Sequence, residues 1–398
     1  MPPARTGPRT PRKRKPFRPL PDPSLQRLLG GHSAAAFLGR FWQKEALLIR
    51  AAVPDFTDVL RRSDLFALAA RDDVESRLVH RIGRRWTLAH GPFPVRALNA
   101  LPARDWSLLV QGVNLHVPAA DALLRRFSFI PYARLDDLMV SYAAPGGGVG
   151  PHLDAYDVFL LQGTGRRRWR YGRQGDHTLR ARAPLKILRR FTPTHDDVFH
   201  PGDMLYLPPE YAHDGIALEA CITYSIGFRA PGATELAIAF LDYLRDDIAL
   251  PGRYIDPNLV PTGEPARIDA AMPRQARQML RAVRWNEETI ARFMGTWLSE
   301  PKPMVSFDPP DAPLGAAAFR RAGGRDGVHL DARSQLLYDD TMIFINGRQL
   351  EWPPGSRKAI VRLGNERWLA HDHLTHINAA TAALLHDWYC DGYLHLGA

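Results

Sequence analysis

The sequence predicts a mainly β protein with added α structure: a barrel or jelly roll, then a helical segment, then a small α+β unit. Three observations predict it. Between about residues 101 and 228, short apolar runs alternate with Gly and Pro clusters, which suits an antiparallel barrel and not βαβ units. After Pro231 the apolar spacing becomes helical. After the Pro-rich stretch 301–313, a second β pattern centres on Asn346-Gly347, a dipeptide suited to a tight hairpin turn.

Taken in order, residues 1–22 come first as a basic arm. Arg5, Arg9, Arg12, Lys13, Arg14, Lys15 and Arg18 all precede the first acid, Asp22, and supply seven of the +10 net charge. Five prolines up to Pro16 dilute them, so the arm is expected to be disordered, a weak electrostatic handle for RNA or simply a solvated tail. It has neither the apolar run of a secretory signal nor the helix of a transit peptide. Ser33 is placed to cap a helix over 34–43 with Phe37, Phe41 and Trp42 as its apolar stripe. Strands are expected at 138–143, 158–162, 167–171, 204–207 and 222–228. Helices are expected at 234–248, 274–283 and 287–298, the last capped by Asn286. Their apolar residues, among them Leu236, Leu241, Met279, Leu280, Ile290 and Phe293, exceed what a short segment buries alone, which predicts a homodimer. The stretch 301–313 is expected to be a linker. A hairpin of 342–345 and 348–352, a helix over 379–388 and a strand at 393–396 complete the chain. The domain boundaries that follow are 1–22, 23–230, 231–304 and 305–398.

Composition sets outer limits. A chain of 398 residues with 45% hydrophobic and 24% charged residues has enough apolar material for two or three folded domains. No run approaches the ~18 apolar residues of a membrane span. Cys221 and Cys390 are far apart and form no CxxC pair, so neither a disulfide framework nor a thiolate zinc site is expected. The simplest setting is the reducing cytoplasm.

The chemistry concentrates in Gly146-Gly147-Gly148-Val149-Gly150-Pro151-His152-Leu153-Asp154. On an extended chain His152 and Asp154 point the same way, offering one imidazole and one carboxylate to a metal. A third ligand is expected from a distant strand, and His213 is the best candidate. Gly202, five residues, Pro208, four residues and His213 follow the spacing of the second cupin motif. Two histidines and a carboxylate on one face suit non-haem Fe(II), leaving positions open for O₂ and a co-substrate.

A co-substrate contact is expected from Arg167. After the Gly163-Thr164-Gly165 turn, Arg167, Trp169 and Tyr171 share one face and Arg166, Arg168 and Arg170 the other. If the aromatic face is interior, Arg167 is buried with it. A buried guanidinium requires an anion, and the distal carboxylate of 2-oxoglutarate fits.

These residues resemble the bacterial JmjC-type ribosomal oxygenases, the arginine 3-hydroxylases of a large-subunit ribosomal protein. The resemblance is dense over 136–231, through DDLMVSYAAPGGGVGPHLDAYDVFLLQGTGRRRWRYG and PGDMLYLPPEYAHDGIALEACITYSIGFRAP. It implies a JmjC/cupin-like double-stranded β-helix, a helical dimerisation segment and a winged-helix-like C-terminal domain. It implies Fe(II) on His152, Asp154 and His213, with 2-oxoglutarate on Arg167. For the target arginine it implies a pocket of Asp137, Met139, Tyr156 and Ser225. Asp137 would pair with the guanidinium while Met139 and Tyr156 flank its stem. Thr223 stands where the family has a polar amide near the co-substrate, so that contact is altered.

Three other readings compete. One is hydroxylation of a histidine on a ribosomal protein, against which Asp137 argues for a cationic target. Another is a small-molecule cupin dioxygenase or isomerase, which would need neither Arg167 nor a long C-terminal extension. The last is a non-catalytic nucleic-acid-binding protein, for which residues 301–398 lack a concentrated basic stripe. The cluster His371, Asp372, His373 and His376 is expected to be a solvated loop and not a metal site.

Overall fold

The computed structural model describes residues 24–83 and 85–397, so the basic arm lies outside the described residues. The chain divides into two compact units, one up to residue 230 and one from residue 231.

Among the described residues of the first unit eleven strands form two sheets: β1 (Leu47–Ile49), β2 (Ser76–Ile82), β3 (Arg85–His90), β4 (Trp106–Val110), β5 (Leu135–Ala143), β6 (Val158–Gln162), β7 (Arg167–Arg173), β8 (His195–Phe199), β9 (Met204–Leu207), β10 (Tyr211–Ala217) and β11 (Cys221–Phe228). The larger sheet runs β1-β9-β6-β11-β5-β4-β2-β3 and the smaller β10-β7-β8, with antiparallel pairing throughout. This is the jelly-roll order expected from the short strands, with sequence-distant strands lying side by side.

Alternation along β5, β6 and β11 separates two environments. Leu138, Val140, Phe159, Leu161, Tyr224 and Ile226 point into a core with Phe37, Phe127 and Leu123 from helices and loops on the outer face. On the inner face Val158, Leu160, Leu205 and Leu207 meet Trp169, Tyr171 and Phe199 of the small sheet. Full burial of each of these side chains is worth roughly 1.5–3 kcal/mol. The first long helix ends sooner than expected, Ala34–Arg40, and Ser33 Oγ accepts from the Ala36 amide at 3.2 Å. β2 and β3, the edge of the large sheet, carry the arginine-rich runs Ser-Arg-Leu-Val-His-Arg-Ile and Arg-Trp-Thr-Leu-Ala-His, whose polarity hides their strand character.

In the second unit, helices span Ala233–Asp247, Ala271–Leu280 and Glu287–Ser299. Asn286 caps the third, accepting from the Thr289 amide at 2.8 Å. One expectation needs correction. The Glu287–Ser299 helix is joined to the C-terminal hairpin, because Gly295 lies against the Phe344 ring and Ser299 Oγ accepts from the Gly347 amide. The Pro-rich stretch is likewise no free linker. Phe307 packs on Tyr393 at 4.6 Å and Asp308 pairs with Arg333 at 2.8 Å. The hairpin joins Leu336–Tyr338, Met342–Ile345 and Arg348–Glu351, and a core of Phe319, Ile343, Ile345, Ile360, Leu385 and Trp388 lies beneath it. Among the described residues no helix is long and apolar enough to cross a membrane, and both cysteines are free.

Candidate functional site

The glycine run has steric causes. A Cβ on Gly147 would strike the Trp106 carbonyl, and one on Gly148 would strike the Gly215 carbonyl. Only glycines let this segment lie flat between β4 and β10. It then enters a bridge in which the His152 and His213 backbones exchange both hydrogen bonds, at 3.1 and 3.0 Å. Residues 61 positions apart in sequence therefore stand opposite each other, with ring centroids 4.2 Å apart.

Asp154 completes the cluster: its carboxylate lies 4.0 Å from His152 Nε2 and 3.6 Å from His213 Nε2. Donor atoms of the three residues all fall within 4.8 Å of one another, and no other such group of three occurs among the described residues. The His371–His376 cluster forms none; His373 simply bonds the neighbouring Asp372. Each histidine has Nδ1 facing a carbonyl, Gly150 O at 2.9 Å and Tyr211 O at 3.3 Å. A carbonyl can only accept, so each Nδ1 donates to its carbonyl and each Nε2 is left facing Asp154. Burial, and then the neighbouring His152, push His213 down to about 4, so it stays a neutral ligand at ordinary pH.

Arg167 is 4% exposed, as its alternation with Trp169 and Tyr171 predicts. Its Nη1 donates to Ser141 Oγ at 3.4 Å and Thr223 Oγ1 at 3.2 Å, and its Nη2 to the Gly215 carbonyl at 3.2 Å. Its Nε is buried with no partner, as is Trp169 Nε1. Among the described residues no carboxylate lies within salt-bridge distance of it, and burial lowers its pKa from the ordinary value. A buried guanidinium with an unspent N–H is the donor set that an incoming carboxylate satisfies. By contrast, Arg166 pairs with Glu219 and Arg168 with Asp196 outside.

One cavity of about 500 Å³ contains these groups. His152, Asp154 and His213 line it together with Arg167, Thr223, Asp137, Met139, Tyr156 and Ser225, so every residue singled out in the sequence faces a single space. Thr223 Oγ1 donates to Gln162 Oε1 at 3.3 Å while accepting from Arg167, so its hydroxyl positions the arginine. Asp137 is 2% exposed, and one oxygen accepts from the Gly112 amide at 2.8 Å.

Sequence reasoning missed Ser141, Gly215, Arg77, Gln111 and Lys186, which also line or shape the cavity. Ser141 was legible in principle, lying two residues beyond Met139 on the same strand face. Gly215 was marked only by its place two residues after His213: a Cβ there would meet Arg167 Nε and the Trp169 ring. Arg77 and Lys186 gave no signal.

The chain is similar to known proteins in both sequence and fold. A JmjC domain profile matches residues 122–236, and a ROXA-like winged helix profile matches residues 282–395. The chain is 39% identical over 323 residues to the ribosomal protein uL16 3-hydroxylase of Escherichia coli, covering 80% of this chain and 85% of that protein. It is also 39% identical over 205 residues to a probable ribosomal oxygenase of Haemophilus influenzae, half of each chain. The structure of YcfD, a ribosomal oxygenase from E. coli, in complex with cobalt and 2-oxoglutarate superposes with a TM-score of 0.76 at 33% identity. That match covers 91% of this chain and 97% of the other.

Proposed function

This chain belongs to the family of JmjC ribosomal oxygenases, enzymes dependent on Fe(II) and 2-oxoglutarate, and from that membership we propose that it hydroxylates the β-carbon of an arginine in the large-subunit ribosomal protein uL16. The observation that carries the reading is the shared cavity, in which two imidazoles, one carboxylate and a buried guanidinium with an unspent donor face one another.

Bound Fe(II), with 2-oxoglutarate and O₂, supplies the oxidising power that replaces a C–H hydrogen by hydroxyl as 2-oxoglutarate becomes succinate and CO₂. His152, Asp154 and His213 would hold the metal, and their backbone bridge fixes the two imidazoles relative to each other. Arg167 would hold the distal carboxylate, with Ser141, Thr223 and Gly215 fixing its fork from behind. Val158, Leu160 and Trp169 provide apolar wall around that end, which keeps water from screening the ion pair. Asp137 has one oxygen held by Gly112, which aims the carboxylate, and it would take the substrate guanidinium. Met139 and Tyr156 would lie along the aliphatic stem, with Ser225 beside them. The arginine stays charged at every working pH, so rate depends on positioning and not on matching a pKa.

Two assembly features belong to the same proposal. The helices of residues 233–299 leave Ile238, Leu241, Leu280 and Ile290 exposed, which supports a homodimer formed through them. The basic arm, with seven positive charges before Asp22, would add a weak RNA contact.

The test is intact-mass analysis of ribosomal proteins from cells with and without the gene. A hydroxyl on uL16, lost in the deletion and placed on an arginine by fragmentation, is the expected result. Unmodified uL16 in both strains, or the hydroxyl on a histidine, refutes it.

A further inference from the structure

A second concavity, about 380 Å³, lies in the first unit on the far side of β10 from the metal-ligand cluster. His213 faces one way from that strand, while Asp214 and Ile216, the alternate residues, line this other space. Four arginines line it, Arg81, Arg170, Arg180 and Arg189, together with the aromatic residues Trp86 and Phe191. Asp214 is the one acid of the described lining, and Arg170 already holds it.

Arg81, Arg180 and Arg189 have no ion pair or side-chain hydrogen bond among the described residues; Arg81 rests 5.8 Å from the Trp86 ring. Arg170 keeps a buried Nε with no partner. Asp176 feels the charge of Arg189 but lies outside the lining, its carboxylate taken by Thr178. Three surplus positive charges gathered around one hollow repel one another, and no carboxylate among the described residues pairs with them. The β7–β8 connection that supplies this wall is basic, with Arg180, Arg182, Arg189 and Arg190, and Lys186 on the metal-site side, against the single acid Asp176. Gly150 brings this wall close, because a Cβ there would meet both Ile187 and Trp86.

A lining that combines arginines with aromatic side chains is matched by a phosphodiester chain carrying unstacked bases. We infer that this concavity is a binding site for single-stranded RNA, in which Arg81, Arg180 and Arg189 hold successive phosphates and Trp86 with Phe191 offers a stacking surface to a base. A duplex presents its bases already stacked and leaves none free for Trp86 or Phe191. A protein partner would have to bring clustered acids, whereas RNA carries an anion at every residue.

The experiment is anisotropy titration of the full chain with a fluorescein-labelled single-stranded oligoribonucleotide over a range of salt. Each phosphate neutralised on a single strand contributes about 0.7 to the slope of log affinity against log salt, so three arginines account for a slope of about 2. The variant Arg81→Ala/Arg180→Ala/Arg189→Ala should bind at least ~10-fold more weakly at physiological salt and lose that part of the slope. The basic N-terminal residues stay in every variant, so a loss belongs to the concavity. Arg180 and Arg189 are exposed, so Arg180→Glu/Arg189→Glu tests the same point if the triple variant does not fold. Lysine at all three positions keeps the charge and should retain most of the affinity. Equal affinity and slope in parent and variants overturns the site, as does failure of the parent to bind. Equal affinity for a duplex of the same sequence removes the single strand as the ligand. Equal displacement by a mononucleotide reassigns the site to a small phosphorylated molecule and likewise overturns the proposal.

Discussion

Removing the Arg167 side chain should separate co-substrate binding from folding. Arg167 is 4% exposed, makes three hydrogen bonds to neutral oxygens and has no carboxylate in reach among the described residues. Losing a charge-assisted contact to a desolvated carboxylate costs roughly 2–5 kcal/mol, and every ~1.4 kcal/mol is tenfold, so Arg167→Ala should raise the 2-oxoglutarate requirement at least ~100-fold. Arg167→Lys keeps a charge but not the fork that spans Thr223 and Gly215, and should fall between the two. The same burial makes a second, opposite forecast. Without co-substrate an unpaired buried cation destabilises the fold, so Arg167→Met, of similar length, should melt no lower than the parent. The parent with metal should gain about 2.7 kcal/mol from co-substrate at a hundred times its Kd, and Arg167→Met at that concentration should gain almost none. Succinate production against 2-oxoglutarate concentration, beside thermal melts with and without co-substrate, reads both. Arg166→Ala and Arg168→Ala break only the outer pairs with Glu219 and Asp196 and should leave the requirement unchanged. An unchanged requirement in Arg167→Ala, or a large change in either outer variant, refutes the assignment of this strand face.

Other outcomes follow from the same structure. His152→Ala and His213→Ala should each abolish succinate production while the melt persists, because each removes one of three ligands; normal turnover in either would mean the cluster is not the metal site. In the C-terminal unit, burial pushes the Asp331 carboxyl up, but hydrogen bonds from Arg333 and His395 outweigh it and hold it well below the usual carboxylate range. A depressed carboxyl contributes stability that is present above its unfolded value near 4 and is lost as pH falls through its folded value. Asp331→Asn should therefore cost about 1.5–3 kcal/mol at neutral pH, with the gap to the parent closing as pH drops below about 4 in denaturant titrations; a gap independent of pH would contradict the network. Light scattering should report a dimer at micromolar concentration, and a mass near the 44.7 kDa of one chain would rule out assembly through the exposed helical faces.

Much of the site was visible in the chain because strand geometry is periodic. His152 and Asp154 share a face, and Arg167 shares one with Trp169 and Tyr171, for the same reason: successive side chains alternate. Glycines flagged places where the backbone must come close, and the turn and cap residues Ser33, Asn286 and Asn346-Gly347 marked element ends through local hydrogen bonding. What no local pattern contains is which strands become neighbours. The His152–His213 bridge, the Ser141 and Thr223 oxygens behind Arg167, and the Gly215 carbonyl that accepts from its Nη2 arise only when β5, β7, β10 and β11 close around one space. The same closure decides which acid each outward arginine meets, Glu219 for Arg166, Asp196 for Arg168 and, at the second concavity, Asp214 for Arg170. Alternation assigns a side chain to a face from its own neighbours in sequence, whereas its partners depend on strand order and register, which only the packed sheets determine.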